Sequence, residues 1–464
     1  MSLFIAACAC LMLAAPASAS AATPPPISWS RIYNGPADGH DLNTRVAVDA
    51  AGNVFVAGRS PTIPGDYTDA NNDIAVVKYS PTGQRLWVRR WNGVGDGVDE
   101  VQDIGVDSKG NVIIAGHTWT GLDTDGPDAV DDDPNDADYI TLKYAPDGRL
   151  KWARSYNGPI DRDDFAFAMA IGPGNRIFVT GYSWWAQEFG VTPIRAGIAT
   201  IAYSPNGTRL WVERRDRGEG DGARDIAVGP DGNLYLTGST MVYDGGTSQD
   251  VVTISYTPDG AERWTAAWDS EIAPLSDEDQ GDELAFDGAG NLYVMGRVWT
   301  RERPEVLLLK YSMSDGALRW DTSWRHSTED AMGLALAVDT SGNAYVAGEE
   351  YGNDETAHGN IDSFLTKFTP GGSVAWSHIY ASPYDRGFDG DDQMVLDATG
   401  NAYVAISSQL TTGYDIAVLK YRPDGTLTWT QRYDRSRNDL LWDRHTSWSG
   451  RSMTLGADGF LYVS

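Results

Sequence analysis

Residues 45–58, RVAVDAAGNVFVAG, and 73–93, DIAVVKYSPTGQRLWVRRWNG, make up one full copy of a unit that fills the chain. The unit reads as four strands, here called A to D. Strand A is RVAVD and strand B is NVFVAG, joined through Ala51-Gly52-Asn53. Strand C is DIAVVKYS, joined to strand D, RLWVRRW, through Pro81-Thr82-Gly83. Gly-Asn and Pro-x-Gly supply the positive φ and the preset φ that tight hairpins need.

The strand D tryptophan recurs at Trp29, Trp87, Trp152, Trp211, Trp264, Trp320, Trp376 and Trp429, spaced 53 to 65 residues apart. The A–B turn recurs at Gly110-Asn111, Gly174-Asn175, Gly232-Asn233, Gly290-Asn291, Gly342-Asn343 and Gly400-Asn401. Strand C recurs as YITLKYA, IATIAYS, VVTISYT, VLLLKYS, SFLTKFT and IAVLKYR. These strands are apolar on both faces, as in a sheet packed between two others. A long fixed period means stacked copies of one supersecondary unit. Four-stranded antiparallel units stacked around an axis make a β-propeller, so the expected fold is all-β.

The ends test the closure. Eight A, B and D strands are readable but only seven C strands, because the chain opens on a D strand at Ile27 and stops after the last B strand. The expectation is eight blades, with the terminal strands sharing the closing one. The alternatives are seven blades with leftover end strands, or a repeat domain cut from a longer surface protein.

Composition narrows the partners. The formal net charge is −29, which disfavours nucleic acid and anionic membrane surfaces. Residues 1–21 read as a secretory signal, with an apolar core before Ala17-Ser18-Ala19, followed by a Pro-rich lead over 22–26 and a single propeller domain over 27–464. Both cysteines, Cys8 and Cys10, fall in that signal. The mature chain would then have neither disulfides nor Cys-based metal sites. The expected location is secreted, periplasmic or on a bacterial cell surface, with no membrane insertion after the signal is removed.

AVDAAGNVFVAG followed by DIAVVKYSPTGQRLW resembles the SBBP class of bacterial β-propeller repeat, over roughly residues 27 to 464. The resemblance implies a scaffold found in secreted and surface proteins. It carries over no catalytic set. The Trp repeat also resembles the docking motif of PQQ quinoproteins, but the vicinal cysteine pair common in those enzymes has no counterpart in the mature chain.

Connectivity puts the short A–B and C–D turns on one face, and the variable B–C and D–A loops on the other. Variation on a rigid scaffold is where binding usually sits. The D–A loops carry carboxylates, among them Asp41, Asp99, Glu100, Asp163, Asp164, Asp221, Asp279, Asp389 and Asp391, which would ring the channel mouth. The B–C insertion Gly121 to Asp138 adds Asp123, Asp125, Asp131 and Asp133. Oxygen-rich loops suit Ca²⁺, and Asp99, Asp163 and Asp391 join those four as candidate ligands. The alternative is that they cap turns and keep the surface solvated. Trp184, Trp185 and Phe189 are candidate contacts for a glycan or an extracellular protein, or else packing residues. Arg89, Arg90, Arg154, Arg214, Arg215 and Arg432 fall on strand D, where charge would guard an exposed edge. G-x-S-x-G, P-loop and H-E-x-x-H are absent from the sequence. The leading expectation is a non-enzymatic recognition scaffold, with a carbohydrate-active hydrolase or lyase using channel-mouth carboxylates as the alternative.

Overall fold

The computed structural model describes residues 23–37, 41–63, 72–93, 97–119, 137–160, 162–186, 195–215, 221–242, 248–270, 279–299, 303–326, 330–351, 361–380, 389–410, 413–433 and 452–464. Their strands form seven four-stranded antiparallel sheets and one two-stranded sheet. Blade I shows the pattern, with A at Leu42–Val48, B at Val54–Pro61, C at Asn72–Tyr79 and D at Arg85–Trp91. Blades II to VII begin at Asp99, Asp164, Gly222, Gln280, Asp330 and Asp389. The ring therefore has seven complete blades, which is the alternative count and not the eight first expected. Residues 27–33 carry the eighth Trp but form no strand. The last A and B strands, Met453–Leu455 and Leu461–Val463, pair with each other, and among the described residues with no further strand. Among the described residues no helix is long and apolar enough to cross a membrane.

Burial follows position in the blade. Strand C is wholly buried in Asn72–Tyr79 and Ala137–Tyr144, whereas strand D is half-exposed. Each apolar cluster spans two blades. One packs Phe55, Ile74 and Val76 of blade I on Val101, Ile114 and Leu142 of blade II. No blade buries its own faces alone, so stability lies in the interfaces.

Polar clamps at those interfaces explain the repeat residues. The indole of Trp87 donates to the Pro146 carbonyl in the C–D turn of the next blade at 3.0 Å. The Arg89 guanidinium donates to the Gly148 carbonyl of the same turn at 2.6 Å. Trp152 and Arg154 repeat this on Pro205 and Gly207, at 3.2 and 2.7 Å. The turn glycine has positive φ (83° at Gly148 and at Gly207), and the indole lies where a Cβ would be. Trp-x-Arg is thus a clamp that needs Gly twice over, once for conformation and once for space. This corrects the edge-guard reading of the strand D arginines. Arg214 bonds the Tyr156 hydroxyl, Arg90 reaches Asp73 and Ser60, Arg215 reaches Glu262 and Thr265, and Arg432 reaches Ser408 and Tyr380.

A second code links strand C to the A–B turn. The buried lysines Lys78, Lys143, Lys310 and Lys367 and the less buried Lys420 pair with Asp49, Asp107, Asp287, Asp339 and Asp397, the first residues of those turns. In blades III and IV the turn starts with Gly172 or Gly229, and the lysine position holds Ala202 or Ser255. A buried ammonium is kept only where a carboxylate faces it.

Strand A carries a bulge near its start in every blade. The register slips between Val101 and Asp103 in blade II, and between Ala223 and Asp225 in blade IV. A bulge re-aims the extra side chain. The extra residues Phe167, Arg224 and Asp282 of blades III, IV and V interact in succession around the axis. The Arg224 guanidinium lies 4.9 Å over the Phe167 ring, and its charge is coupled to Asp282.

Candidate binding face

Strand B of each complete blade ends on the face of the B–C and D–A loops. The last glycine of strand B in blades II, III and V is Gly116, Gly181 and Gly296. Side chains one and three residues beyond it share one side of the strand. They are His117 and Trp119 in blade II, Tyr182 and Trp184 in blade III, and Arg297 and Trp299 in blade V. Blade VI repeats the offset with Glu349 and Tyr351. An aromatic ring thus closes this position in four of the complete blades.

Their environments differ. The imidazole of His117 meets Trp119 edge-on at 4.8 Å and Phe165 of blade III at 5.0 Å. Trp184 is half-buried, touched edge-on by Tyr182 at 5.5 Å and covered by the Arg162 guanidinium at 5.7 Å. Trp299 is 38% exposed and presents the most open indole of the row. Trp185 lies on the same strand, but its side chain falls outside the described residues, as does Phe189.

A charged group lies beside the rings. Glu100 shares a hydrogen bond with His117 Nε2 at 2.9 Å, and its other oxygen lies 3.7 Å from Arg59. Burial would raise the Glu100 carboxyl, but the His117 hydrogen bond and charge and nearby Arg59 outweigh it and hold the group below its usual range. His117 is only 3% exposed, and among the described residues its Nδ1 has no hydrogen-bond partner.

The predicted carboxylates split into two groups. Asp99, Asp164, Asp221, Asp279 and Asp389 open strand A or immediately precede it, and all five are fully buried. Asp99 accepts the Gly93 amide at 2.7 Å and the Thr118 hydroxyl at 2.5 Å. Asp164 accepts from Gly158 and from the Trp184 amide, and Asp221 accepts from Thr240 at 2.7 Å. Each fastens its D–A loop to the end of strand B in the same blade. Asp163 accepts the Ala137 amide of blade II at 2.9 Å. Asp391 lies in a wide bulge between Gly390 and Gln393, with its side chain outside the described residues. Asp123, Asp125, Asp131 and Asp133 also lie outside them. Among the described residues no three His, Cys, Asp or Glu side chains converge as metal ligands would.

Burial pushes Asp99 up to about 6 and Asp164 up to about 7, against partial opposition from their hydrogen bonds. At Asp397 burial is outweighed by bonds from Asn401 and Thr399, and the carboxyl sits at about 2. The signs then oppose each other. Asp99 and Asp164 bind protons in the folded chain that the unfolded chain has already released. Their stabilising effect is complete below the ordinary value of 3.8 and is lost as pH rises through 6 and 7. Asp397 stabilises above that ordinary value and loses its effect as pH falls toward 2. A tenfold difference in proton affinity between folded and unfolded chain is worth about 1.4 kcal/mol. Melting temperature at fixed ionic strength is therefore expected to rise from pH 7.5 to about 5, and Asp164→Asn should flatten the rise. A melting temperature that falls over that interval would sink this account.

No protein-family profile and no curated protein matches the chain. Solved structures resemble it weakly. A puromycin hydrolase mutant is 13% identical with a TM-score of 0.47, the match covering 94% of this chain and 60% of that one. An ulvan lyase of polysaccharide lyase family PL25 is 12% identical with a TM-score of 0.45, covering 85% and 87%. A protein from Lactobacillus plantarum is 12% identical with a TM-score of 0.43, covering 77% and 91%. The class of this protein, a β-propeller, rests on its own sheet topology.

Proposed function

We propose that this chain is an exported bacterial recognition module of the SBBP-repeat type, binding an extracellular glycan or protein on its B–C and D–A loop face. The observation that carries the reading is the row of rings Trp119, Trp184, Trp299 and Tyr351 at one repeat offset, on a scaffold whose opposite face is uniform tight turns. Indole faces stack on sugar rings and anchor protein partners. The apolar leader and the confinement of cysteine to residues 8 and 10 support export. Calcium belongs to the reading through the Gly121 to Asp138 loop, where a divalent cation would offset the repulsion between aspartates.

A second reading, a carbohydrate-active hydrolase or lyase, has the Glu100–His117 pair in its favour. Trp119 and Phe165 close over the imidazole, so a substrate would have to displace them.

The test is a panel of neutral and acidic polysaccharides, assayed with and without millimolar Ca²⁺. Trp184→Ala combined with Trp299→Ala is expected to weaken binding at least about tenfold, a loss of about 1.4 kcal/mol, with the fold intact. Binding that survives both substitutions would move the ligand off this face. Cleavage of a polysaccharide, abolished by His117→Gln, would select the enzyme instead.

A further inference from the structure

The strand A bulges of blades IV and V and the end of strand B in blade V meet in one charged cluster. The register of strand A skips Arg224 in blade IV and Asp282 in blade V. Arg297 directly follows the strand B glycine of blade V and stands opposite Gln280 on strand A. Gln280 links it to the bulge. Its side-chain carbonyl accepts from Arg297 Nη2 at 2.9 Å, and its amide donates to the Asp282 carboxylate. Arg224 acts on the same carboxylate from the neighbouring blade, while its guanidinium lies 4.9 Å over the Phe167 ring. Arg224, Asp282 and Arg297 are each half-buried, so solvent reaches all three.

Two guanidiniums facing one carboxylate are in conflict. At Arg224 burial lowers the pKa, the Asp282 charge opposes that, and the Arg297 charge adds to it. Like charges repel more strongly in a partly buried site than in open water. A guanidinium also brings more donors than a carboxylate has acceptor sites. An anionic group entering beside the two arginines would relieve the repulsion and engage that donor capacity. Trp299, 38% exposed, stands two residues beyond Arg297 on the same side of strand B, a distance of about 6.7 Å.

Resting on the glycan reading of the loop face proposed above, we infer that this corner recognises an acidic sugar. Its carboxylate or sulfate is held by Arg224 and Arg297, and its ring stacks on Trp299. A planar guanidinium fork matches the oxygens of such a group two at a time. An open indole beside the charge suits a ring that carries its own acid group. The formal net charge of −29 repels long polyanions at a distance. The site therefore suits a short or terminal acidic sugar, since salt at physiological strength screens that repulsion beyond about 8 Å and spares direct contact.

The experiment titrates the protein with oligogalacturonate, its methyl ester, a sulfated oligosaccharide and a glutamate peptide, at about 150 mM salt. Expected are saturable one-to-one binding of an acidic oligosaccharide and binding of the uncharged ester at least about tenfold weaker. Arg297→Gln should weaken acidic binding at least about tenfold and leave the ester unchanged, whereas Trp299→Ala should weaken both. Arg224→Gln, on the adjacent blade, is the second variant, and thermal melts check that each one folds. Response to only the carboxylate or only the sulfate would support the site and fix its acid group. Acid and ester bound equally, or acidic binding that survives both arginine changes, would overturn the inference and leave glycan recognition standing. Glutamate peptide held through Arg297, with no oligosaccharide bound, would overturn it in favour of a protein partner. No glycan bound at all, neutral ones included, would remove the glycan reading with it.

Discussion

Trp264→Ala is expected to lower stability by about 3–5 kcal/mol, the range for truncating a large aromatic in a core. Trp264 is 8% exposed and is the clamp between blades IV and V. Its ring lies over Gly316, its indole donates to the Met313 carbonyl at 3.0 Å, and Tyr235 packs against it at 5.8 Å. The carbonyl keeps Tyr235 as a second donor, so most of the loss is packing and not an orphaned acceptor. The comparison that isolates the clamp is Trp429→Ala, at the same repeat position, whose indole holds no turn among the described residues. That change should cost less than about 2 kcal/mol. Urea midpoints with unchanged slopes would measure both. Equal losses would mean that burial within the blade, and not the clamp between blades, is what the repeated tryptophan supplies.

Gly238→Ala is expected to cost about 3 kcal/mol, the upper range of overpacking. A Cβ at Gly238 would stand 1.9 Å from the Gly222 carbonyl oxygen and 2.8 Å from the Ala223 Cα. Those atoms belong to backbone beside the strand A bulge and cannot rotate away as a side chain could. Gly116, Gly181, Gly296 and Gly348 face the same obstacle, with strand A carbonyl oxygens at 1.9 to 2.0 Å. Blades I and VII have a wider bulge, and in blade I it skips Asn43 and Thr44 opposite Gly58. Blade VII holds Ile406 at this position, opposite a register that skips both Asp391 and Asp392. Gly238→Ala should therefore shift the register of strand A and displace Arg224, visible as faster amide exchange over 222–226. A substitution tolerated within about 0.5 kcal/mol would show that the bulge adjusts freely.

The sequence carried the strands, the turns and their fourfold grouping because each rests on local chemistry. Gly-Asn and Pro-x-Gly set backbone angles within a few residues, and the apolar runs of strand C mark burial on both faces without reference to a partner. The role of the strand D arginines was not legible in the same way. Arg89 reads as an exposed charge along its own strand, and becomes a clamp only when Gly148, 59 residues away, is brought to its guanidinium. The burial of the start-of-blade aspartates was not legible for a related reason. Asp99 and Asp164 stand in polar loops, yet the Thr118 hydroxyl and the Trp184 amide fold over them. A signal for the aromatic row was present, in the constant offset of Trp119, Trp184, Trp299 and Tyr351 from the strand B glycine. Period-two parity puts these rings on one side of their strands.

Blade count and closure needed the tertiary structure. Periodicity counts the strand D tryptophans, and there are eight of them; it does not say whether residues 27–33 find a strand to pair with. By itself the sequence determined the repeating unit, its strand order, and which of its faces are apolar, because nearest-neighbour backbone geometry and side-chain alternation decide those. The tertiary structure alone decided which polar groups are buried, which charges meet across blade interfaces, and how many complete blades the described residues form. Those depend on contacts between residues some fifty positions apart in the chain, such as Trp376 and Pro423, and local sequence places no constraint on their approach.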